Sequence, residues 1–207
     1  MKLHPPTTFV ASAAAPDQFP AEATAEVAFL GRSNVGKSSA INALTGRRRL
    51  AFSSKTPGRT QTVNFYDLGA SAMLVDLPGY GYARVPEDVR AGWERLVASY
   101  LFGRRSLVGL VMLIDARRAP TPQDRRLVEW LRPLGVGRLY LLAKADKLPR
   151  AARRGALQAA RAALAAGNDE VLLFSAVDGS GVDEARERLA HWLRRSGPQA
   201  GNKKAPG

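Results

Sequence analysis

Gly31-Arg32-Ser33-Asn34-Val35-Gly36-Lys37-Ser38 is the stretch that decides how the rest of the chain is read. Its spacing, G-x-x-x-x-G-K-S, is that of a phosphate-binding loop between a strand and a helix. The two glycines let the backbone wrap closely around a phosphate and turn successive N–H groups inward as an anion nest. Lys37 supplies a positive charge for the β- and γ-phosphates, and the Ser38 hydroxyl can ligate Mg²⁺. The helix that begins here adds unpaired N–H groups and the positive end of its dipole. Chance supplies this pattern in roughly 1% of chains of this length. The flanks agree with it, since Glu26-Val27-Ala28-Phe29-Leu30 reads as a buried strand and Ser39 to Leu44 as the following helix.

The chain has 207 residues, enough for one domain with a full core. It has no cysteine, which excludes a disulfide framework and thiolate metal sites and suits a reducing compartment. No stretch reaches the ~20 apolar residues of a membrane span, and Met1 to Pro6 lacks the apolar core of a signal peptide. A cytoplasmic protein is expected. The net charge of +13 favours polyanionic partners. Much of it is compositional, because 24 of the 31 basic residues are arginine in an alanine-rich chain. Arg47, Arg48, Arg49, Lys55 and Arg59 nevertheless fall in a run without an acid, and doublets recur at 104–105, 117–118, 125–126 and 153–154. Contacts to nucleic-acid phosphates are expected, without a recognisable base-reading module.

Taken in order, residues 1–20 read as a Pro/Ala-rich arm, 21–195 as one nucleotide-binding domain, and 196–207 as a disordered tail. Gly46 caps the first helix, and the polar, basic segment from Arg47 to Thr60 reads as mobile. Thr62–Leu68 and Ala72–Asp76 are strands joined tightly at Gly69, hence antiparallel. A helix runs from about Glu87 to Phe102, and Leu107–Ile114 is a continuous apolar run, as in a strand buried on both faces. A helix starting near Pro122, a strand at 138–143, a helix at 150–166, a strand at 170–174 and a final helix built on Val182, Ala185 and Leu189 complete the pattern. The expectation is an α/β P-loop fold: six strands, mostly parallel with one antiparallel, helices on both faces, and the ligand at the carboxyl ends of the strands.

The remaining motifs fall at those ends. Asp76-Leu77-Pro78-Gly79 matches D-x-x-G, in which Asp76 can hold Mg²⁺ through water and the Gly79 N–H can meet the γ-phosphate. Lys144-Ala145-Asp146 is K-x-D; the Asp146 carboxylate can accept from the N1–H and N2–H₂ of guanine, and adenine offers no such pair. Ser175-Ala176 ends the last strand, where a backbone N–H can meet the guanine O6. Thr60 can bring a second hydroxyl to Mg²⁺, with Thr56 and Thr62 as alternatives on composition alone; such a threonine orders its loop around the triphosphate and makes a switch.

Together these residues resemble the P-loop GTPases of the translation-factor-related class, and among the TrmE-Era-EngA-EngB-septin-like group they resemble most the EngB (YihA/YsxC) family of bacterial ribosome-biogenesis GTPases. The resemblance lies in Gly31–Ser39, in Lys55-Thr56-Pro57-Gly58-Arg59-Thr60-Gln61 with Asn64-Phe65, and in Asp76–Ala83, and it extends over roughly residues 20–195. It implies that Gly31, Arg32, Ser33, Asn34, Val35, Gly36, Lys37 and Ser38 surround GTP. It places Gly58, Arg59, Thr60, Gln61 and Thr62 there too, with Asp76, Leu77, Pro78 and Gly79. Ala143, Lys144, Ala145 and Asp146, and then Phe174, Ser175 and Ala176, complete the set. It implies Ser38, Thr60 and, through water, Asp76 as Mg²⁺ ligands, and Lys37, Thr60, Gly79 and Asn34 as the groups that act on the reacting phosphate. It further implies a role in large ribosomal subunit assembly, with the precursor subunit and its rRNA as partners, and a need for the protein in normal cell division and septation. Neither membrane nor DNA is expected as a partner, and the protein is expected to be a monomer.

Two positions depart from common GTPase patterns. Ala143 stands where Asn or Thr usually precedes K-x-D, and its methyl cannot make the hydrogen bond that braces this loop against the P-loop, a loss of about 1 kcal/mol. Tyr80 stands where Ras-type enzymes carry a water-orienting Gln, so slow intrinsic hydrolysis is expected. Related GTPases with Asn at the position of Asn34 use it to hold K⁺ near the phosphates, which makes K⁺ a candidate activator; the left-handed tolerance of Asn gives it a purely structural role as the alternative. Tyr80 and Tyr82 also read as exposed recognition groups. A nucleoside or nucleotide kinase using ATP is the competing reading of the P-loop, opposed by the D-x-x-G and K-x-D pair.

Overall fold

The computed structural model describes residues 7–52, 62–81 and 87–194, with the side chains of 87–90 left aside. Gly58, Arg59, Thr60, Gln61, Tyr82 and the expected tail lie outside the described residues. The elements are β1 (Thr8–Ala13), β2 (Ala25–Gly31), α1 (Lys37–Thr45), β3 (Val63–Asp67), β4 (Ala72–Asp76) and α2 (Glu87–Gly103). They continue with β5 (Leu107–Asp115), α3 (Pro122–Leu131), β6 (Gly137–Ala143), α4 (Arg150–Leu164), β7 (Glu170–Leu173) and α5 (Val182–Arg194). One sheet of order β1-β3-β4-β2-β5-β6-β7 carries them all. β4, β2, β5, β6 and β7 are mutually parallel, and β3 runs against both of its neighbours.

The sheet therefore has seven strands, not the expected six. The additional one, β1, comes from the stretch that reads as an arm. Its own pattern is weak because only one side of it is paired and only Ala13 is buried in the strand. What specifies it is the open edge of β3, which it closes in antiparallel register from Thr8 against Asp67 to Ala13 against Val63. An unpaired row of N–H and C=O groups is a template for such pairing. Phe9 meets the Tyr66 ring edge-on at 6.0 Å.

Alternation along the central strands sorts side chains onto two faces. Val27 and Phe29 of β2, with Val111 and Leu113 of β5, pack with Ile41 and Leu44 of α1 and Ala185 and Leu189 of α5. Ala28, Leu30, Leu110 and Met112 point the other way, against Tyr100 and Leu101 of α2, Val128 and Leu131 of α3 and Ala160 and Leu164 of α4. Every residue of β2 is buried, so the loop that follows it leaves a fully packed strand.

The amino end of that strand carries a charge. Glu26 is fully buried. It accepts from Tyr100 Oη at 2.8 Å and from Arg104 Nε and Nη2 at 3.2 and 2.5 Å. Arg104 also donates to the Pro20 carbonyl at 2.8 Å and lies over the Phe65 ring. This cluster fastens the end of the arm, β2 and the last turn of α2 together. Removing one partner of a buried pair strands the other charge, so Arg104→Ala is expected to cost about 3–5 kcal/mol of unfolding free energy in urea titrations; a loss below about 1 kcal/mol would mean that the Glu26 carboxylate is satisfied elsewhere.

Candidate functional site

β2 ends at Gly31 and α1 starts at Lys37, and Arg32 to Gly36 turn between them. Gly36 has φ 108° and Asn34 φ 62°, both left-handed. Glycine adopts that conformation freely, and asparagine is among the few other residues that tolerate it. Among the described residues no side chain caps α1, which leaves its first N–H groups to an anion. Lys37 and Ser38 stand in that first turn.

The D-x-x-G loop lies directly against this turn. Phe29 of β2 pairs in register with Asp76 of β4, and the Leu77 N–H donates to the Phe29 carbonyl at 3.0 Å. Asp76 is 4% exposed and its carboxylate pairs with Lys37 Nζ. Pro78 accepts from Trp93 Nε1 of α2 at 2.9 Å. Gly79 is pressed onto the P-loop backbone, where a Cβ would sit 3.2 Å from the Ser33 nitrogen and 3.3 Å from the Gly31 oxygen. A Cβ here would have to push the P-loop backbone away by a few tenths of an ångström.

The K-x-D segment comes in from β6. Lys144 is left-handed, with φ 63°, and its Nζ donates to the Asn34 carbonyl at 2.9 Å and to Asp115 Oδ2 at 3.2 Å. Lys144 is thus the brace between this segment and the P-loop. The Ala143 methyl is buried, and its carbonyl accepts from Ala116 N–H at 2.8 Å. Ala145 N–H donates to Phe174 O at 3.1 Å, tying the segment to the end of β7. Ser175 Oγ donates to Asp146 Oδ1 at 2.8 Å and holds that carboxyl below the ordinary range. The Ser175 N–H is taken by the Ser180 carbonyl at 2.9 Å, and the Ala176 N–H has no partner among the described residues. Of the threonines considered for the metal, Thr62 precedes β3 with its hydroxyl 3.3 Å from Asn64 Oδ1.

Four carboxyl-end segments thus converge on one region: the P-loop, Asp76–Gly79, Ala143–Asp146 and Phe174–Ala176. A cavity of about 230 Å³ beside the P-loop is lined by Arg32, Ser33, Asn34, Asp115 and Lys144. A larger one, about 470 Å³, lies between α2 and α3 and touches the motif loops only at Tyr80.

A family model described as "50S ribosome-binding GTPase" matches residues 26–144. The probable GTP-binding protein EngB of Azoarcus sp. (strain BH72) is 48% identical over 196 residues, spanning 93% of this chain and 94% of that one. The chain belongs to the EngB family of GTPases. The EngB relative from Dechloromonas aromatica (strain RCB) is 47% identical over 210 residues, spanning all of this chain and 96% of its own. A crystal structure of a probable GTP-binding protein engB, 23% identical, superposes with a TM-score of 0.68 over 82% of this chain and 99% of that chain, which shows the shared fold. GTP hydrolysis is the activity of an EngB chain, and the ATP-dependent kinase falls away.

Motif reading missed one residue that the structure brings beside these loops. Asp115 ends β5 and is gripped by Arg117 through Nε at 2.9 Å and Nη2 at 2.7 Å. That guanidinium holds the Asp115 carboxyl well below the usual range, with Lys144 adding to the effect. The signal was positional: Asp115 is an acid at a parallel strand's carboxyl end, like Asp76. Tyr80 needs a correction. It is 5% exposed, not an exposed recognition group, and its hydroxyl donates to Asp124 Oδ1 at 2.7 Å.

Proposed function

We propose that the chain is a nucleotide-switched assembly factor that binds Mg²⁺–GTP at the converged loops, hydrolyses it slowly, and associates with the precursor of the large ribosomal subunit through rRNA. In this reading the protein is also needed for normal cell division and septation. The observation that carries the nucleotide part is the meeting of Lys37, Asp76, Lys144 and Asp146 at the carboxyl ends of one parallel sheet, where such folds hold nucleotides. The P-loop N–H groups and Lys37 take the phosphates, Gly79 N–H meets the terminal one, Asp146 reads N1–H and N2–H₂ of guanine, and the Ala176 N–H meets O6.

Among the described residues no cluster of three acidic, histidine or cysteine side chains could hold a metal alone. The Ser38 hydroxyl and the Asp76 carboxylate, both next to Lys37, are instead the hard oxygen donors that suit Mg²⁺ when phosphate oxygens and water complete its shell. Thr60 is the third ligand in this proposal. The metal supplies neutralisation of charge on the β- and γ-phosphates. Tyr80 offers no amide to orient the attacking water and its hydroxyl is engaged by Asp124, which supports a low intrinsic rate. Asn34 is exposed in the P-loop turn, consistent with a K⁺ site beside the phosphates.

Support for RNA as partner comes from one turn. Asn42 of α1 accepts from the Leu50 and Ala51 N–H groups at 3.0 and 2.8 Å and donates to the Ala51 carbonyl at 2.9 Å. This clamp presents Arg47, Arg48 and Arg49 to solvent, with Phe52 73% exposed beside them. None of the three arginines has a carboxylate partner among the described residues. Unpaired guanidinium groups next to an exposed aromatic suit phosphates with an unstacked base.

Three outcomes test this function. Asp146→Asn is expected to move preference from guanosine to xanthosine nucleotides, as measured by competition binding; unchanged GTP selectivity would remove the guanine assignment. Co-sedimentation with ribosomal fractions is expected to differ between GDP and a non-hydrolysable GTP analogue, and to fall when Arg47, Arg48 and Arg49 are replaced by Ser; equal sedimentation in both states would remove the switch. Single-turnover hydrolysis is expected to run faster in K⁺ than in Na⁺ at matched ionic strength, and equal rates would exclude K⁺ activation.

A further inference from the structure

Tyr80 follows Gly79 directly and is joined to two parts of the molecule at once. Its N–H donates to the Gly31 carbonyl at 3.2 Å and its carbonyl accepts from the Ser33 N–H at 3.0 Å, so a short parallel bridge binds it to the P-loop on either side of Arg32. Its hydroxyl reaches Asp124 Oδ1 of α3. Asp124 is 2% exposed, and its other oxygen is filled by the Thr121 N–H at 2.7 Å and the Thr121 hydroxyl at 2.8 Å. The first of these, with the Asp124 N–H donating to Thr121 Oγ1 at 3.2 Å, makes the capping box that starts α3. Tyr80 is therefore the one group among the described residues that satisfies Oδ1. Burial, and then the Asp124 carboxylate, push the Tyr80 hydroxyl far above the ordinary phenol range, so it remains a donor.

Gly79 has no side chain by which to be held. Its position is set by its flanks: Pro78, whose carbonyl is bonded by Trp93, and Tyr80, whose ring is locked onto α3. We propose that Tyr80 is a positioning residue, which through Asp124 fixes the Gly79 N–H for the terminal phosphate of a nucleoside triphosphate and makes the start of α3 part of the triphosphate sensor. A donor already in place binds an anion better than one that must be ordered on binding. A diphosphate has no group at that position, so the latch acts on GTP and not on GDP. This inference rests on the role proposed above for Gly79.

Tyr80→Phe keeps the ring and removes the hydroxyl, leaving Asp124 Oδ1 buried without its partner. Relief comes from movement of the loop or entry of water, and either frees Gly79. The expected result, from titration with Mg²⁺–GDP and with a non-hydrolysable GTP analogue, is a fall of about tenfold in analogue affinity with GDP affinity held within about twofold, the scale of one hydrogen bond. Asp124→Ala is expected to reproduce that ratio.

Tyr100→Phe is the matched control. It also removes a buried tyrosine hydroxyl from a buried carboxylate, here Glu26, at the opposite end of β2. It should lower the melting temperature and leave the nucleotide ratio alone. If Tyr80→Phe behaves as Tyr100→Phe does, or raises the ratio, the latch is only a structural bond and the proposal is overturned. Gly79→Ala separates the two readings. If it lowers the ratio and Tyr80→Phe does not, the latch fails and the Gly79 role stands. If Gly79→Ala leaves the ratio unchanged, the Gly79 role fails and the latch fails with it.

Discussion

Burial of β2 on both faces is the constraint from which the site follows. From Ala25 to Gly31 no residue of the strand is exposed, and parallel partners hold it on both sides. A strand so enclosed cannot slip by one residue without turning its whole set of side chains to the wrong face. Gly31 is therefore a fixed point, and its carbonyl and neighbouring amides serve as an anchor. Tyr80 bonds to that anchor, Leu77 bonds to Phe29 two positions earlier, and Lys144 bonds to Asn34 three positions later. The motif loops are mutually ordered because each is referred to the same strand end.

The two ends of β2 are fastened by different chemistry. At the amino end a buried Glu26 is saturated by Arg104 and Tyr100, far from the phosphate cradle. At the carboxyl end the charges are paired with each other, Lys37 with Asp76 and Lys144 with Asp115, and phosphates or a metal can compete for them. The first arrangement spends its donors on stability and leaves little for a ligand. The second keeps Lys37 near a carboxylate that is also an expected metal neighbour, so binding exchanges one set of ionic partners for another and no bare charge has to be desolvated at that moment.

Much of this was legible in the chain itself because the residues concerned act through local pattern. The apolar run of β5, the alternating faces of β2, and the glycines at 36 and 79 all carry their reasons within a few residues. The strand ends at Asp76 and Ala143 follow from the α/β alternation. What escaped was specified at a distance. β1 forms because β3 has an open edge, and nothing in Thr8–Ala13 announces that edge. Thr121 and Asp124 have the spacing of a capping box and could be read as a helix start. The partner of that carboxylate is a tyrosine 44 positions away that local pattern assigns to solvent. Asp115 was within reach of the rule that strand ends carry chemistry, but it belongs to no short motif.

The basic turn and the phosphate cradle share a helix. Lys37 and Ser38 open α1, and Asn42, about one and a half turns further on, clamps the backbone that carries Arg47, Arg48 and Arg49. Arg186 of α5 closes the same helix by donating to the Ala43 and Leu44 carbonyls, and Lys37 at its other end pairs with Asp76, so α1 is fastened at both ends. In the proposed reading the arginines are therefore tied to the same helix whose first turn forms the phosphate cradle. In such a design the basic turn supplies affinity for a polyanion in both states. Discrimination between the states has to come from elements tied to the terminal phosphate, and among the described residues those are the Gly79 loop and the helices bonded to its flanks.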